Sequence, residues 1–265
     1  MDAILTISNL NLSFISARNK EDSLFLFREL SLEIPREKIT ALVGGNGAGK
    51  TTLFNVISGI QKGTTGEVIF NGGALNGLSP HHIARMGIGR LFQGARVYDE
   101  LSILDNMLIG AAHSATEHPF CNFILRNKNN FREKELKEKA EGILSELFGS
   151  NNIFWEDRSK PAGNLSFGQQ RLLAMARLLM GDYSLYLLDE PTSGVHVKYI
   201  EQIESAIRHI NTKSNKTILL IEHNMHFVRQ MAEHCLFMDN GKIIAKGKPD
   251  EVLDSDHVQQ AYMGF

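Results

Sequence analysis

The order of apolar and polar residues predicts several β-strands in the first part of the chain. Apolar and polar residues alternate over residues 4–14 and 24–34, as they do in strands with one buried face. The polar residues 16–23 between these two runs indicate a loop. A mostly apolar run at residues 38–43, and a shorter one at 66–72 that ends in a turn, indicate two further strands.

The later part of the chain combines strand and helix patterns. Continuous apolar runs at residues 185–188 and 217–221 predict buried strands, and a helical pattern at 197–210 separates them. This alternation favours a parallel sheet that is covered by helices. The Asn-Gly pair at residues 240–241 lies between two strand-like runs and predicts a tight β-hairpin.

The middle of the chain has a mostly helical pattern. Within residues 132–147, apolar residues recur at helical spacing. We predict a single domain, 1–265, in which residues 1–95 and 163–265 form an α/β core and residues 96–162 form an inserted α-helical subdomain. The core is expected to contain a mostly parallel sheet and, at its N-terminal end, antiparallel β-strands.

Composition narrows the class of protein. The chain has 28 Lys and Arg residues against 30 Asp and Glu, so charge offers no argument for nucleic-acid binding. Its apolar runs are too short to cross a bilayer, and its first residues do not resemble a secretory signal. Cys121 and Cys235 lack the spacing of a metal site or a disulfide framework. We therefore expect a soluble, cytoplasmic protein with no nucleic-acid partner.

Residues 44–51 match the phosphate-binding pattern G-x-x-x-x-G-K-S/T. Glycines let backbone N–H groups approach phosphate oxygens, Lys50 neutralises their charge, and the Thr51 hydroxyl is a ligand for Mg²⁺. A glycine-rich turn that ends in Lys-Thr by chance is the alternative. However, a predicted strand precedes the loop and a predicted helix, residues 52–57, follows it, which favours a nucleoside triphosphate site. The predicted binding residues are Gly44, Asn46, Gly47, Gly49, Lys50, Thr51 and Thr52.

Two carboxylates follow the buried strand at residues 185–188. We expect Asp189 and Glu190 at the carboxyl edge of the parallel sheet, where ligands bind in such folds. Asp189 is then placed to hold Mg²⁺, and Glu190 to polarise the water that attacks the terminal phosphate. The alternative is a strand that simply ends in a solvated acidic turn.

Residues 164–170 read Asn-Leu-Ser-Phe-Gly-Gln-Gln and open a predicted helix. Ser166, Gly168 and Gln169 are then expected at a positive helix end, where anions bind; an ordinary serine N-cap is the alternative. Together with the two motifs above, this stretch resembles the signature motif of ABC ATPases, which kinases and small GTPases lack. The resemblance covers nearly the whole chain and implies a P-loop NTPase (RecA-like) fold, ATP and Mg²⁺ as cofactors, and ATP hydrolysis.

The resemblance also implies roles for three isolated residues. Gln93 matches the glutamine loop of the family, which senses Mg²⁺ and faces the membrane partner. His223 matches the switch histidine that contacts the γ-phosphate, and a purely structural histidine is the alternative. Phe14 matches the aromatic residue that stacks on adenine; a core position explains it equally well, and the loop that follows it is longer than is usual in the family.

Residues 83–93, 113–148 and 260–265 resemble segments of the ATPase subunits of branched-chain amino acid importers. Subgroups that handle urea and other amides, and the lipopolysaccharide-export ATPases, share parts of this pattern. His196 departs from the family, which usually has Asp or Asn on this loop between the two ATP sites. We hypothesise weaker or more pH-dependent coupling between the sites, with tolerated drift as the alternative.

The family resemblance implies a head-to-tail dimer around two ATP molecules, formed by two copies or with a related ATPase subunit. Lys50 of one subunit would bind the phosphates that Ser166 and Gly168 of the other subunit contact. Separate transmembrane permease subunits would dock near residues 93–100 and the helical insert, which places the chain at the inner face of the cell membrane. The alternatives are an ATPase of DNA repair or translation, and a regulatory module that binds ATP without hydrolysing it.

Overall fold

A computed structural model describes residues 2–15, 23–94, 97–111, 126–149 and 153–263. The predicted loop after Phe14 lies largely outside these residues, as do Cys121 and much of the predicted segment 113–148. Cys235 is described and fully buried, and this burial raises the pKa of its thiol to about 12. The strands are β1 (Ala3–Ile15), β2 (Ser23–Pro35), β3 (Ile39–Val43), β4 (Thr65–Phe70), β5 (Gly73–Ala74), β6 (Ile88–Leu91), β7 (Leu185–Asp189), β8 (Thr217–Ile221), β9 (His234–Asp239) and β10 (Lys242–Gly247).

All the strands that the sequence pattern predicts are present, with bounds that differ by at most 2 residues. The helices are α1 (Lys50–Ile57), α2 (Pro80–Arg85), α3 (Ile103–Gly110), α4 (Arg126–Phe148), α5 (Ile153–Glu156), α6 (Phe167–Leu179), α7 (Ile200–Arg208), α8 (Met225–Met231), α9 (Pro249–Leu253) and α10 (Asp256–Met263). The predicted helix at 197–210 is divided, because a 3-10 turn precedes α7 and a π-helical turn follows it. Across the described ranges, none of the helices has the length and apolar character needed to span a membrane.

The described residues form two compact units, each built from separate parts of the chain. The core unit is drawn from Met1–Arg90, Tyr183–Pro191 and Ile210–Phe265, and the helical unit from Leu91–Asp182 and Thr192–His209. The helical unit contains the predicted insert, residues 96–162, and also α6. Packing explains why α6 belongs to this unit: a Cβ added to Gly110 of α3 would lie 2.0 Å from the carbonyl oxygen of Arg177 in α6.

Two β-sheets form the core unit. The antiparallel sheet has the order β2-β1-β4-β5, and Leu5 in its central strand pairs with Ile34 on one side and Phe70 on the other. The second sheet has the order β10-β9-β3-β8-β7-β6, in which β9, β3, β8 and β7 run parallel. β3, β8 and β7 are buried along their whole length, as the continuous apolar runs predict.

One hydrophobic cluster joins both sheets and α1. It includes Leu5 and Ile34 of the first sheet, Leu187 and Leu219 of the second, and Phe54 of α1. All of these side chains are at most 1% exposed. Because burial of such side chains is the dominant favourable term in folding, this cluster fixes the helix that follows the phosphate loop against the sheet.

Two Asn-Gly turns close the hairpins β4-β5 and β9-β10. Asn71-Gly72 has φ angles of 49° and 77°, and Asn240-Gly241 has φ angles of 45° and 73°. Left-handed values at both central residues suit the twist of a two-residue hairpin. The hairpin predicted at residues 240–241 is therefore confirmed, and the Gly241 N–H also donates to the carbonyl of Ala48 in the phosphate loop, at 3.0 Å.

Replacement of Gly241 by Ala should destabilise the core unit more than replacement of Gly72. The backbone cost of a left-handed alanine, about 1 kcal/mol, is common to both turns. At Gly241 the new Cβ would also lie 1.7 Å from the carbonyl oxygen of Leu26. At Gly72 the new Cβ would have no atom within 4 Å. We expect urea denaturation to show a loss of about 1 kcal/mol for Gly72→Ala and about 3 kcal/mol or more for Gly241→Ala. Equal losses of unfolding free energy in the two variants would show that β2 can move at Leu26 without loss of stability.

Candidate nucleotide site

The phosphate loop leaves β3 at Val43 and enters α1 at Lys50. Gly44 has a φ of 152°, and a Cβ there would lie 2.0 Å from the carbonyl oxygen of Met238, so only glycine fits. By contrast, a Cβ built on Gly45 or Gly47 would meet no atom within 4 Å. The loop is thus packed against β9 at its start and open along its middle, where close approach of a phosphate needs bare backbone.

Lys50 places a positive charge inside this loop. Its side chain is buried, and Nζ donates to the carbonyl oxygens of Gly44 at 2.7 Å and Gly45 at 2.8 Å. Burial lowers the pKa of the Lys50 ammonium, whereas the negative charges of Glu190 and Asp189 act in the opposite direction. The predicted cation therefore faces the predicted carboxylates.

The start of α1 adds further donors. Gly49 precedes the helix with a φ of 106° and offers no side-chain cap to its first N–H groups. A helix start of this kind attracts anions, since its N–H groups and dipole both favour negative charge. Thr51 is exposed in this first turn, and Thr52 is half-buried beside it. Asn46 is exposed in the loop.

Asp189 and Glu190 lie at the end of β7, as predicted. The Asp189 carboxylate is 1% exposed, and its Oδ2 accepts a hydrogen bond from Nη2 of Arg90 at 3.1 Å. Glu190 has a left-handed φ of 48°, which is unusual for glutamate, and its N–H donates to the carbonyl of Ile221 at 3.0 Å. Strained backbone of this type is typical of functional positions.

His223 follows β8 and reaches the Glu190 side chain. Its Nε2 lies 3.1 Å from Oε1 of Glu190. Because an ionised carboxylate only accepts, Nε2 carries the proton of this bond. Glu222 is buried and its Oε2 accepts from the backbone N–H groups of His223 at 3.1 Å and Asn224 at 3.4 Å, so it holds the turn that presents the imidazole. Sequence reasoning missed Glu222, whose signal is an acidic residue beside a predicted site histidine.

The oxygen donors of the core unit suit a magnesium ion that is bound together with phosphates. Throughout the described ranges, no group of three or more His, Cys, Asp or Glu side chains forms a metal cage. Mg²⁺ usually takes one or two protein oxygens and completes its shell with water and substrate phosphates. The Asp189 carboxylate and the Thr51 hydroxyl are ligands of this kind, so they fit the predicted ion.

The signature stretch begins α6 in the helical unit. Ser166 is the exposed N-cap residue, and its N–H donates to Oε1 of Gln169 at 2.8 Å. Gly168 is buried, and a Cβ there would lie 2.7 Å from the Tyr199 ring. The serine N-cap alternative is thus correct as far as local structure goes, while the predicted contact of Ser166, Gly168 and Gln169 with nucleotide stays a prediction.

Gln93 lies on an exposed turn of the helical unit. Nη1 of Arg171, a residue that is 3% exposed, donates to the carbonyl oxygens of Phe92 at 2.7 Å and Gln93 at 2.9 Å. The turn with the predicted magnesium sensor is therefore anchored to the signature helix. Sequence reasoning missed Arg171, because an arginine next to apolar helix positions is usually exposed.

The two remaining predicted positions have different outcomes. Phe14 belongs to β1 and pairs with Leu24, but its side chain is outside the described part, so adenine stacking stays a prediction. His196 is exposed and caps the 3-10 turn Val197–Tyr199, because its Nδ1 accepts from the N–H of Lys198 at 3.3 Å. Asn and Asp side chains also cap helices in this way. The hypothesis that His196 alters coupling between the two ATP sites stays a prediction.

The core unit thus brings Lys50, Asp189, Glu190 and His223 to one edge of its parallel sheet. The residues of the glutamine and signature stretches, Gln93, Ser166, Gly168 and Gln169, belong to the helical unit.

Comparison with known proteins agrees with this geometry. The profile of the family described as ABC transporter matches residues 27–193. The chain is 34% identical to the high-affinity branched-chain amino acid transport ATP-binding protein BraF of Pseudomonas aeruginosa, over 98% of each chain. It is 31% identical to the corresponding protein LivG of Escherichia coli K12, over 91% of this chain and 92% of LivG. Among solved structures, an ABC transporter cassette in its ADP conformation has a TM-score of 0.80, with 29% identity over 100% of both chains.

Removal of the Arg171 guanidinium should loosen the turn at Gln93. Arg171→Met deletes the donor to two carbonyls, and loss of one such bond from a buried charged group costs about 1.5–3 kcal/mol. We expect amide hydrogen exchange of residues 91–94 to accelerate at least about tenfold. Arg177→Met, on the same helix, is the matched control and should leave these amides unchanged. Unaltered exchange in Arg171→Met would show that the turn does not depend on this arginine.

Proposed function

The chain belongs to the ABC transporter family, and from this premise we propose that its ATPase activity powers import of branched-chain amino acids through separate permease subunits. Identity of 34% and 31% to two branched-chain amino acid transport ATP-binding proteins, over nearly the whole chain, supports the solute class. The contact between His223 and Glu190, 3.1 Å long and next to buried Lys50, carries the assignment of the hydrolytic residues.

Each residue at the sheet edge has a chemical role in hydrolysis. When bound, magnesium ATP supplies the electrophilic γ-phosphorus. Lys50 and the N–H groups at the start of α1 would bind the phosphate oxygens, and Thr51 and Asp189 would hold the ion, which would neutralise charge on the phosphates. Glu190 accepts a hydrogen bond from the attacking water and orients it. His223 holds the Glu190 carboxylate in place through Nε2, and the family resemblance assigns to it a contact with the γ-phosphate.

The signature helix contributes the second half of the site in a head-to-tail dimer. Ser166 and the N-terminus of α6 are exposed, so they are accessible to a nucleotide on another subunit. The dimer then closes when ATP is bound to both surfaces and opens after hydrolysis, because only the triphosphate state provides the shared contact. Gln93 is also exposed, and the family resemblance assigns it to sensing of the ion. The partner is a second copy or a related ATPase subunit.

A surface for the permease follows from the exposed apolar residues near Gln93. Phe92, Tyr98 and Leu101 are 46%, 53% and 37% exposed. Exposed apolar side chains mark an interaction site where they form one patch, and these three lie within ten residues of one another in the chain. They surround the segment 93–100 that the family resemblance assigns to permease docking. This contact would hold the chain as a peripheral protein on the inner face of the membrane.

Replacement of Glu190 tests the hydrolytic assignment. Glu190→Gln keeps the size of the side chain but removes the charge that orients water, so we expect kcat to fall by at least about 100-fold. ATP binding, measured by calorimetry, should stay within about threefold because Lys50 and the loop are intact. ATP should also convert this variant into dimers that gel filtration detects. Glu67→Gln, which changes an exposed glutamate of β4, is the control and should behave like the parent. Full turnover in Glu190→Gln would exclude Glu190 as the residue that orients the attacking water.

Uptake of radiolabelled solutes tests the proposed solute class. Expression of the chain in a bacterial strain that lacks its own branched-chain amino acid ATPase subunit, together with permease genes from the source of this chain, should restore uptake of radiolabelled leucine. A Lys50→Ala chain is the negative control, since it loses the cation that binds phosphate. Uptake of urea but not leucine would move the protein to an amide importer. Restored ATPase activity with uptake of neither solute would contradict the proposed substrate class.

A further inference from the structure

A buried arginine joins the two halves of the proposed magnesium site. Arg90 lies in β6, and its side chain is 5% exposed. Nη1 donates to Oδ1 of Asn55 and to Oγ of Ser58, each at 2.8 Å, while Nη2 donates to Oδ2 of Asp189 at 3.1 Å. The guanidinium also lies 5.6 Å from the centre of the Phe54 ring. One side chain therefore contacts β7 and the end of α1 at the same time.

The energetics of this contact indicate more than packing. Burial lowers the pKa of the Arg90 guanidinium, and its hydrogen bond to Asp189 offsets this effect only in part. An apolar side chain of similar volume usually stabilises such a position as well as a buried ion pair does. What an arginine adds is a rigid fork of donors that can hold a carboxylate in one orientation. Asp189, 1% exposed, is that carboxylate.

We propose that Arg90 is a positioning residue for the magnesium ion, which orients the Asp189 carboxylate and aligns it with α1. The guanidinium holds Oδ2, and this bond fixes the rotation of the carboxylate about its Cβ–Cγ bond. Its contacts with Asn55 and Ser58 tie the same guanidinium to the helix whose first turn carries Thr51. Asp189 and Thr51 thus keep a constant separation. The inference rests on the proposed assignment of these two residues to Mg²⁺.

The role predicts an effect on the metal rather than on the nucleotide. Phosphate binding is assigned to Lys50 and to the N–H groups of the loop and α1. Arg90 instead contacts the ligand that holds the ion, as outer partners of metal ligands do. Loss of Arg90 should therefore weaken the response to Mg²⁺ while the chain still binds ATP in the absence of metal.

ATP binding to a variant that does not hydrolyse ATP, measured with and without Mg²⁺, separates an effect on the metal from an effect on the nucleotide. In a Glu190→Gln background, calorimetry would measure ATP affinity in EDTA and over a series of Mg²⁺ concentrations. We expect Arg90→Met to raise the half-saturating Mg²⁺ concentration about 10- to 100-fold, with ATP affinity in EDTA unchanged within about threefold. Arg90→Lys keeps the charge but not the planar guanidinium with its fixed donor directions, so the half-saturating Mg²⁺ concentration should rise by an intermediate factor. Equal weakening with and without metal, or no shift, would overturn the proposal.

A double-mutant cycle tests whether Arg90 acts through Asp189. In an Asp189→Asn background, Arg90→Lys should cause no further shift in the Mg²⁺ response, because the oriented group is already lost. A full additive shift would overturn the inference about Arg90. If Asp189→Asn alone left the Mg²⁺ response unchanged, the assignment of Asp189 to the ion would fail instead.

A second variant keeps the proposal testable if Arg90→Met does not fold. Asn55→Ala combined with Ser58→Ala leaves the ion pair intact and removes its tie to α1, together with the bond from Ser58 Oγ to the carbonyl oxygen of Phe54. We expect a smaller shift in the same direction, about threefold in half-saturating Mg²⁺. A melting temperature within a few degrees of the parent would confirm that the variant is folded. A folded double variant with the parent's Mg²⁺ response would refute the alignment with α1.

Discussion

The hydrogen-bonded register of β3, β8 and β7 is the constraint on which the whole site depends. Leu42 of β3 and Asp189 of β7 both pair with Ile221 of β8, so the three strands end at one level. The segments that follow them are far apart in the sequence but share one edge of the sheet. A slip of one residue would turn the side chains of a strand to its opposite face and separate Glu190 from His223.

Charge at this edge is balanced within apolar surroundings. Lys50 and Arg90 bring positive charge next to the carboxylates of Asp189 and Glu190, and the strands behind them are fully buried. In a low-dielectric setting each of these interactions is stronger than in water, and each unpaired charge would be more costly. The groups therefore hold one another in fixed positions before any ligand arrives. The helical unit uses the same device, since Arg171 anchors the turn at Gln93.

The sequence predicts the two sheets and the phosphate loop well, because strand periodicity and the glycine pattern are local signals. It does not reveal Arg90 or Arg171, since arginine is usually exposed and a periodicity scan counts it as polar. Their roles depend on partners between 32 and 99 residues away. The sequence pattern also does not predict that α6 belongs to the helical unit, because the contact of Gly110 with α6 joins residues that are far apart in the chain. The division of the predicted helix at 197–210 reflects local turns that periodicity does not distinguish from α-helix.

The left-handed backbone of Glu190 affects the entropic cost of its proposed role in hydrolysis. Its φ of 48° and the bond from its N–H to Ile221 fix where the side chain leaves the main chain, and the contact with Nε2 of His223 holds the carboxylate. The conformational cost of this placement is incurred once, when the chain folds, and not again in each turnover. In the proposed role of Glu190, backbone strain in the folded state thus replaces an entropic cost at the transition state.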